Sequence, residues 1–201
     1  MDTPVEIDWF WMALKILAVL LLVALNGFFV AAEFALVKVR GTQLQPLVYE
    51  GQRRAKVAHY ILNNLDAFLS ACQLGITLAS LALGWIGEPI FETLLQPIFH
   101  WIAIESETAK STISFGFGFS VITILHIVVG EIAPKSLAIQ KPLPTSLWVA
   151  YPMMWFYKTS YPFVAVLNWA SQLLLRLVGI GTAAESHEHH SEEELRLLVT
   201  S

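Results

Sequence analysis

The chain has 201 residues, 56% of them hydrophobic and 14% charged, with a formal net charge of −4 at pH 7. That content excludes an ordinary water-soluble domain, and no interleaved basic and aromatic stretches of the kind that bind nucleic acid occur. The single cysteine, Cys72, excludes a disulfide framework or a cysteine metal cluster.

Several apolar runs exceed the roughly 18 residues that mark a spanning helix. Backbone polar groups in lipid must be satisfied within their own segment, so the expected class is an all-α integral membrane protein. The first residues are not a cleavable signal, because Asp2, Glu6 and Asp8 stand where a basic region is required.

Residues 9–37 form the first predicted span, opening on the interfacial aromatic group Trp9-Phe10-Trp11. Lys15, Asn26 and Glu33 share one helical face. Lys15 snorkels to water near one end, Asn26 lies deeper, and Glu33 lies toward the other end.

From 38 to 66 the chain turns basic, with Lys38, Arg40, Arg53, Arg54 and Lys56 punctuated by Gly41, Pro46 and Gly51. Two short surface helices are expected, Thr42–Glu50 and Gln52–Leu65. Basic residues here and none in 1–8 put this loop in the cytoplasm and the N-terminus outside.

In the second predicted span, 67–87, Ser70, Gln73, Thr77 and Ser80 make one polar stripe. Ala71, Gly75 and Ala79 make a neighbouring ladder of small residues that suits close helix packing, within the chain or across a dimer. The plainer reading of the hydroxyls is that each bonds the carbonyl four residues back. Gly87-Glu88-Pro89 is expected to end this span, and the short apolar piece 90–104 to lie at the outer interface before the acidic Glu105-Ser106-Glu107.

The third predicted span, about 111–135, ends on Gly130-Glu131-Ile132-Ala133-Pro134-Lys135. Pro134 has no N–H, so the Gly130 carbonyl loses its helical donor. A free carbonyl beside an ionisable carboxylate is costly against lipid, yet both are ligands for a hard cation. The alternative is an intrahelical ion pair between Glu131 and Lys135. His126 faces away from Glu131 and is left outside the expected site.

Residues 136–180 are apolar but interrupted by Pro142, Pro144, Pro152 and Pro162. The piece 145–157 is too short to cross. The piece 161–180 segregates Tyr161, Asn168, Gln172 and Arg176 from Phe163, Val166, Leu167, Leu173, Leu174 and Leu177. It reads as an amphipathic belt in the membrane interface. The transmembrane domain thus covers 1–181, and 182–201 reads as a solvated acidic linker leading into a truncated cytoplasmic domain. Ser191 to Glu194 there form a capping box.

Together the stretches resemble the CNNM/CorC magnesium transporters: Asn26-Gly-Phe-Phe-Val-Ala-Ala-Glu33, Gly51-Gln-Arg-Arg-Ala55, Ser70-Ala-Cys-Gln73-Leu-Gly75-Ile-Thr77 and Gly130-Glu131-Ile-Ala-Pro134-Lys135. The resemblance implies a homodimer in the inner (plasma) membrane, each subunit with three spans. It implies Mg²⁺ passage with Na⁺ coupling proposed in some members, and ATP-sensing CBS domains beyond this chain. Many members carry a small hydroxyl residue near position 30, where this chain has Val30.

Asn26, Ser70, Gly130 and Glu131 are the expected metal ligands, with Gln73 as a spare. None is soft or nitrogenous, which argues against zinc or copper. Depth is awkward for Ser70, since Asn26 lies about 18 Å along the helix from Lys38 while Ser70 begins its span; Thr77 is the alternative partner. Ser70 is kept on the motif. No Ser/His/Asp grouping or phosphate loop predicts an enzyme, and the competing function is a Mg²⁺-sensing regulatory subunit that binds the ion without moving it.

Overall fold

A computed structural model describes residues 9–101 and 106–177. The acidic N-terminus, Glu105 and the 182–201 tail with its capping box lie outside the described residues. All the described secondary structure is helical: α1 Trp9–Lys38, α2 Gly41–Tyr49, α3 Arg53–Asn63, α4 Leu65–Trp101, α5 Glu107–Leu125, a π-helical segment His126–Ile132, α6 Ala133–Gln140 and α7 Pro142–Leu177. Three stretches are long and apolar enough to cross a membrane: Trp9–Lys38, Leu65–Ile86 and Thr108–Gln140. The protein is an all-α membrane protein.

The first span is central and packs against α4, the α5–π–α6 rod and α7. Between helices already in lipid, burying hydrocarbon gives little drive, so close approach of small residues has to hold them. Ala71, Gly75 and Ala79 are all buried, and Gly75 does this against Phe29 of α1 in the same chain. A methyl built on Gly75 would stand 2.6 Å from the Phe29 ring. Ala31 and Ala35 meet Ala138 of α6 in the same manner.

Helices α2 and α3 form a hairpin turned by Gly51, whose φ of 84° a residue with a Cβ adopts only under strain. Leu44, Ala58 and Ile61 from this hairpin close one end of the main core, which also holds Phe29, Phe68 and Met153.

The second membrane-crossing stretch ends at Ile86, just before Gly87-Glu88-Pro89 as expected, but the helix does not stop there. The helical backbone of α4 runs through Gly87-Glu88-Pro89 to Trp101, and α7 is continuous with Pro152 and Pro162 inside it. A proline deletes one hydrogen bond and crowds one carbonyl, and where the rest of the ladder survives the helix need only bend. The buried face of α7 is Thr145, Ser146, Val149, Ala150, Met153, Ser160 and Val164. Its later part leaves Phe163, Val166, Leu174 and Leu177 exposed, as a lipid-covered face requires.

Candidate functional site

The rod formed by α5 and α6 changes its winding where proline strikes it. Over His126–Ile132 the helix widens to π, and the Ala133 N–H reaches back five residues to the Val128 carbonyl. The next donor in line would be residue 134, which is proline. A five-residue register would have bonded it to Val129 and a four-residue register to Gly130, so proline leaves this turn one donor short.

Helix α1 meets that turn at Asn26-Gly27. A Cβ placed on Gly27 would lie 2.9 Å from Pro134 Cγ, 3.3 Å from the Val129 oxygen and 3.7 Å from the Gly130 oxygen. The missing side chain therefore lets α1 reach the proline-broken turn. Asn26, only 1% exposed, donates its Nδ2–H to the Gly130 carbonyl at 3.0 Å. The structure thus brings together Asn26 and Gly130, two of the four expected ligands.

The partner from the second span is Ser80. Its hydroxyl donates to Asn26 Oδ1 at 3.3 Å and also lies 3.3 Å from His126 Nε2. Ser80 ends the polar stripe seen in the sequence, so its signal was available. His126, expected outside the site because it faces away from Glu131, stands in this cluster. Its relevant neighbour is Gly130, four residues on, where a Cβ would press on His126 Cδ2 at 3.0 Å and Asn26 Nδ2 at 3.2 Å.

Ser70 stands elsewhere. Helix α4 runs antiparallel to α1, and ten residues separate Ser70 from Ser80, about 15 Å along the axis. The Ser70 hydroxyl lies 3.0 Å from the Asp66 carbonyl and 2.6 Å from Asn168 Oδ1 of α7. Thr77 back-bonds to the Gln73 carbonyl at 2.8 Å, and both Thr77 and Gln73 are exposed.

Glu131 is exposed, although its neighbour Gly130 is buried. Among the described residues it has no ion pair with Lys135, whose Nζ sits instead over the Phe34 ring of α1 at 4.5 Å. The same Lys135 charge acts on half-buried Glu33. Val30 is buried in the core at 4% exposure and offers no oxygen.

Between α4 and α5 lies a cavity of about 240 Å³, lined in part by Ser80, Ser114, Gly118, Thr123 and His126. Ser114 is 2% exposed, and among the described residues its hydroxyl has no hydrogen-bond partner. The His126–Ser80 pair stands between this space and Asn26.

Among the described residues no three His, Cys, Asp or Glu side chains group as a metal cluster. What converges instead are uncharged hard oxygens from three membrane-crossing helices: Asn26 Oδ1, Ser80 Oγ and the carbonyls of the proline-broken turn. Their chemistry fits Mg²⁺ or Na⁺ and not a soft metal. In the arrangement seen, the Asn26 amide nitrogen caps the Gly130 carbonyl, so a cation must first turn that amide aside.

The chain matches the Cyclin M transmembrane N-terminal domain (CNNM) over residues 16–201. It is 46% identical over 187 residues to the UPF0053 protein YugS of Bacillus subtilis, covering 93% of this chain and 43% of YugS. The similarity to YhdP of the same organism is 43% over 186 residues, covering 92% of this chain and 42% of that protein. The UPF0053 protein sll0260 of Synechocystis is 34% identical over 187 residues, covering 92% of this chain and 41% of its own length. The chain therefore spans less than half the length of these relatives.

Proposed function

From the premise that the chain belongs to the CNNM family of transmembrane domains, we propose that it is the membrane part of a magnesium transporter that carries Mg²⁺ past Asn26, Ser80 and Gly130. One observation supports the reading: a buried asparagine from one span closes on a backbone carbonyl in the proline-interrupted π turn of another. Stability alone does not call for such an arrangement, since an ordinary helix would satisfy the carbonyl itself.

In this reading the ion replaces the amide N–H as the group that satisfies Gly130. Asn26 turns its Oδ1 inward, Ser80 supplies a hydroxyl oxygen, and retained water completes the six-oxygen shell that Mg²⁺ demands. Neutral ligands hold the ion weakly enough to release it. Glu131, on the adjoining surface of the same turn, supplies the negative charge that offsets a divalent ion near the bilayer interior. Ser70, from the expected set, enters as a ligand only if its contact with Asn168 is broken. The cavity at Ser114 serves as the outer approach and Glu33 with Lys135 marks the cytoplasmic mouth, with the N-terminus outside. Na⁺ is the coupling ion of choice because the same oxygens suit it, the working unit is a homodimer in the plasma membrane, and ATP acts through CBS domains beyond this chain.

Purified protein in liposomes loaded with a Mg²⁺-sensitive dye tests this. Flux should follow a Mg²⁺ gradient and fall at least tenfold in Asn26→Ala. Mg²⁺ binding that depends on Asn26 without any flux would make the chain a sensor subunit, and neither binding nor flux would remove magnesium from its function.

A further inference from the structure

The groups around Asn26 allow every proton to be placed. A carbonyl can only accept, so the Asn26 atom facing Gly130 is nitrogen, and Oδ1 is turned to Ser80. Ser80 has one hydroxyl proton, and its bond to Oδ1 uses it. The remaining contact, 3.3 Å to His126 Nε2, must then be an imidazole N–H donating to the Ser80 oxygen. All three bonds point the same way, from His126 through Ser80 and Asn26 to the Gly130 carbonyl.

A cation at Gly130 reverses every one of them. It needs Asn26 Oδ1 beside it, which sends the amide NH₂ toward Ser80. The Ser80 oxygen now accepts from that NH₂, and its own proton must find another acceptor. Within reach stands His126 Nε2, which can accept only if the ring carries its proton on Nδ1.

Resting on the magnesium reading above, we propose that His126 is a positioning residue that works through Ser80. Its Nε2–H tautomer holds Asn26 across the Gly130 carbonyl, and its Nδ1–H tautomer holds Asn26 turned toward the ion. His126 touches no ion in either state. The absence of a side chain on Gly130 lets the ring lie where it does, since a Cβ there would be 3.0 Å from His126 Cδ2.

The direct test is nitrogen NMR of [¹⁵N]histidine-labelled protein in lipid nanodiscs, with His126 identified by its loss in His126→Gln. In EDTA the His126 ring should carry its proton on Nε2, and saturating MgCl₂ should move it to Nδ1. Calorimetry with MgCl₂ gives a second, independent reading. His126→Phe leaves the reversed Ser80 hydroxyl without an acceptor and should weaken binding roughly tenfold. His126→Gln, which can donate or accept, should return affinity to within about threefold of wild type. In a Ser80→Ala background the Phe and Gln variants should be equal, because the link is gone. An unchanged tautomer in protein that binds Mg²⁺ through Asn26 overturns the role of His126 and leaves the transport reading standing. Wild-type protein that binds no Mg²⁺ overturns both.

Discussion

Gly27 and Pro134 are in such close contact that a single methyl group on the glycine would stand 2.9 Å from the proline ring. The contact fixes how near α1 comes to the broken turn, and so fixes the Asn26–Gly130 bond one residue away. Gly27→Ala should push the helices apart, because a pyrrolidine ring and the Val129 backbone oxygen at 3.3 Å have little room to yield. Overpacking of this kind costs about 1–3 kcal/mol. Thermal unfolding in detergent should show the loss, and calorimetry should show weakened Mg²⁺ binding. Gly84→Ala and Gly116→Ala meet nothing within 4 Å and should unfold as the wild type does.

Asn26→Asp separates the two states of the site. The carboxylate cannot donate to Gly130, so without an ion it sets two acceptors face to face in a position that is 1% exposed. A buried unsatisfied acceptor costs about 1–3 kcal/mol, and more when charged. A cation turns the same repulsion into two ligands. The variant should therefore melt below wild type in EDTA and gain more than wild type when MgCl₂ is added, through the stabilisation that any native-state ligand gives. An equal gain in both proteins would mean that the ion does not bind at Asn26.

Much of this architecture could be read from the chain. Runs of apolar residues gave the spans, and Pro134 after Gly130 marked the turn where a carbonyl is freed. Glycine and proline effects of that kind are local, so sequence expresses them. The contacts that complete the site are not local. Ser70 and Ser80 are chemically alike, and only the antiparallel crossing of α1 and α4, registered by Gly75 against Phe29, selects Ser80 for Asn26. Likewise the small-residue ladder announced a packing face but not its partner, which is α1 of the same chain. Pro89 marks the end of the apolar stretch but not of the helix, and the interruptions expected at Pro152 and Pro162 are bridged, because surrounding backbone bonds carry the helix across them.

The contact between Ser70 and Asn168 makes a separate claim. A hydroxyl has one proton, and the Asp66 carbonyl at 3.0 Å can only accept it. That proton is shared with Asn168 Oδ1, which accepts from the Ser70 hydroxyl at the shorter distance of 2.6 Å. This bond ties the belt helix α7 to the start of α4. Ser70→Ala and Asn168→Ala should each lower stability by about 1 kcal/mol, and the double variant should lose little more than either alone. If Ser70→Ala abolished Mg²⁺ binding while Asn168→Ala left it intact, the serine would be a ligand and the tie incidental.

The cavity beside Ser114 makes the last prediction, since its occupant decides whether it is a route. Its volume of about 240 Å³ is ample for water, and it presents a Ser114 hydroxyl unpartnered among the described residues as well as His126 and Thr123. Leu83, Phe115, Phe119 and Ile122 make most of its wall apolar, and a water held there would have Ser80, Ser114, Thr123 and His126 as its partners. Ser114→Cys should then react in intact cells with a membrane-impermeant, cationic methanethiosulfonate, because a thiol in contact with water can ionise and one in lipid cannot. Two internal comparisons frame the rate: native Cys72 is buried at 0% exposure, and Ile124→Cys lies on an outward face that is 62% exposed and, in a bilayer, meets lipid. Ser114→Cys should label at least tenfold faster than either. A thiol at 114 as inert as those two would make the cavity a packing defect filled by lipid tails, and the outer approach to Asn26 would have to run elsewhere.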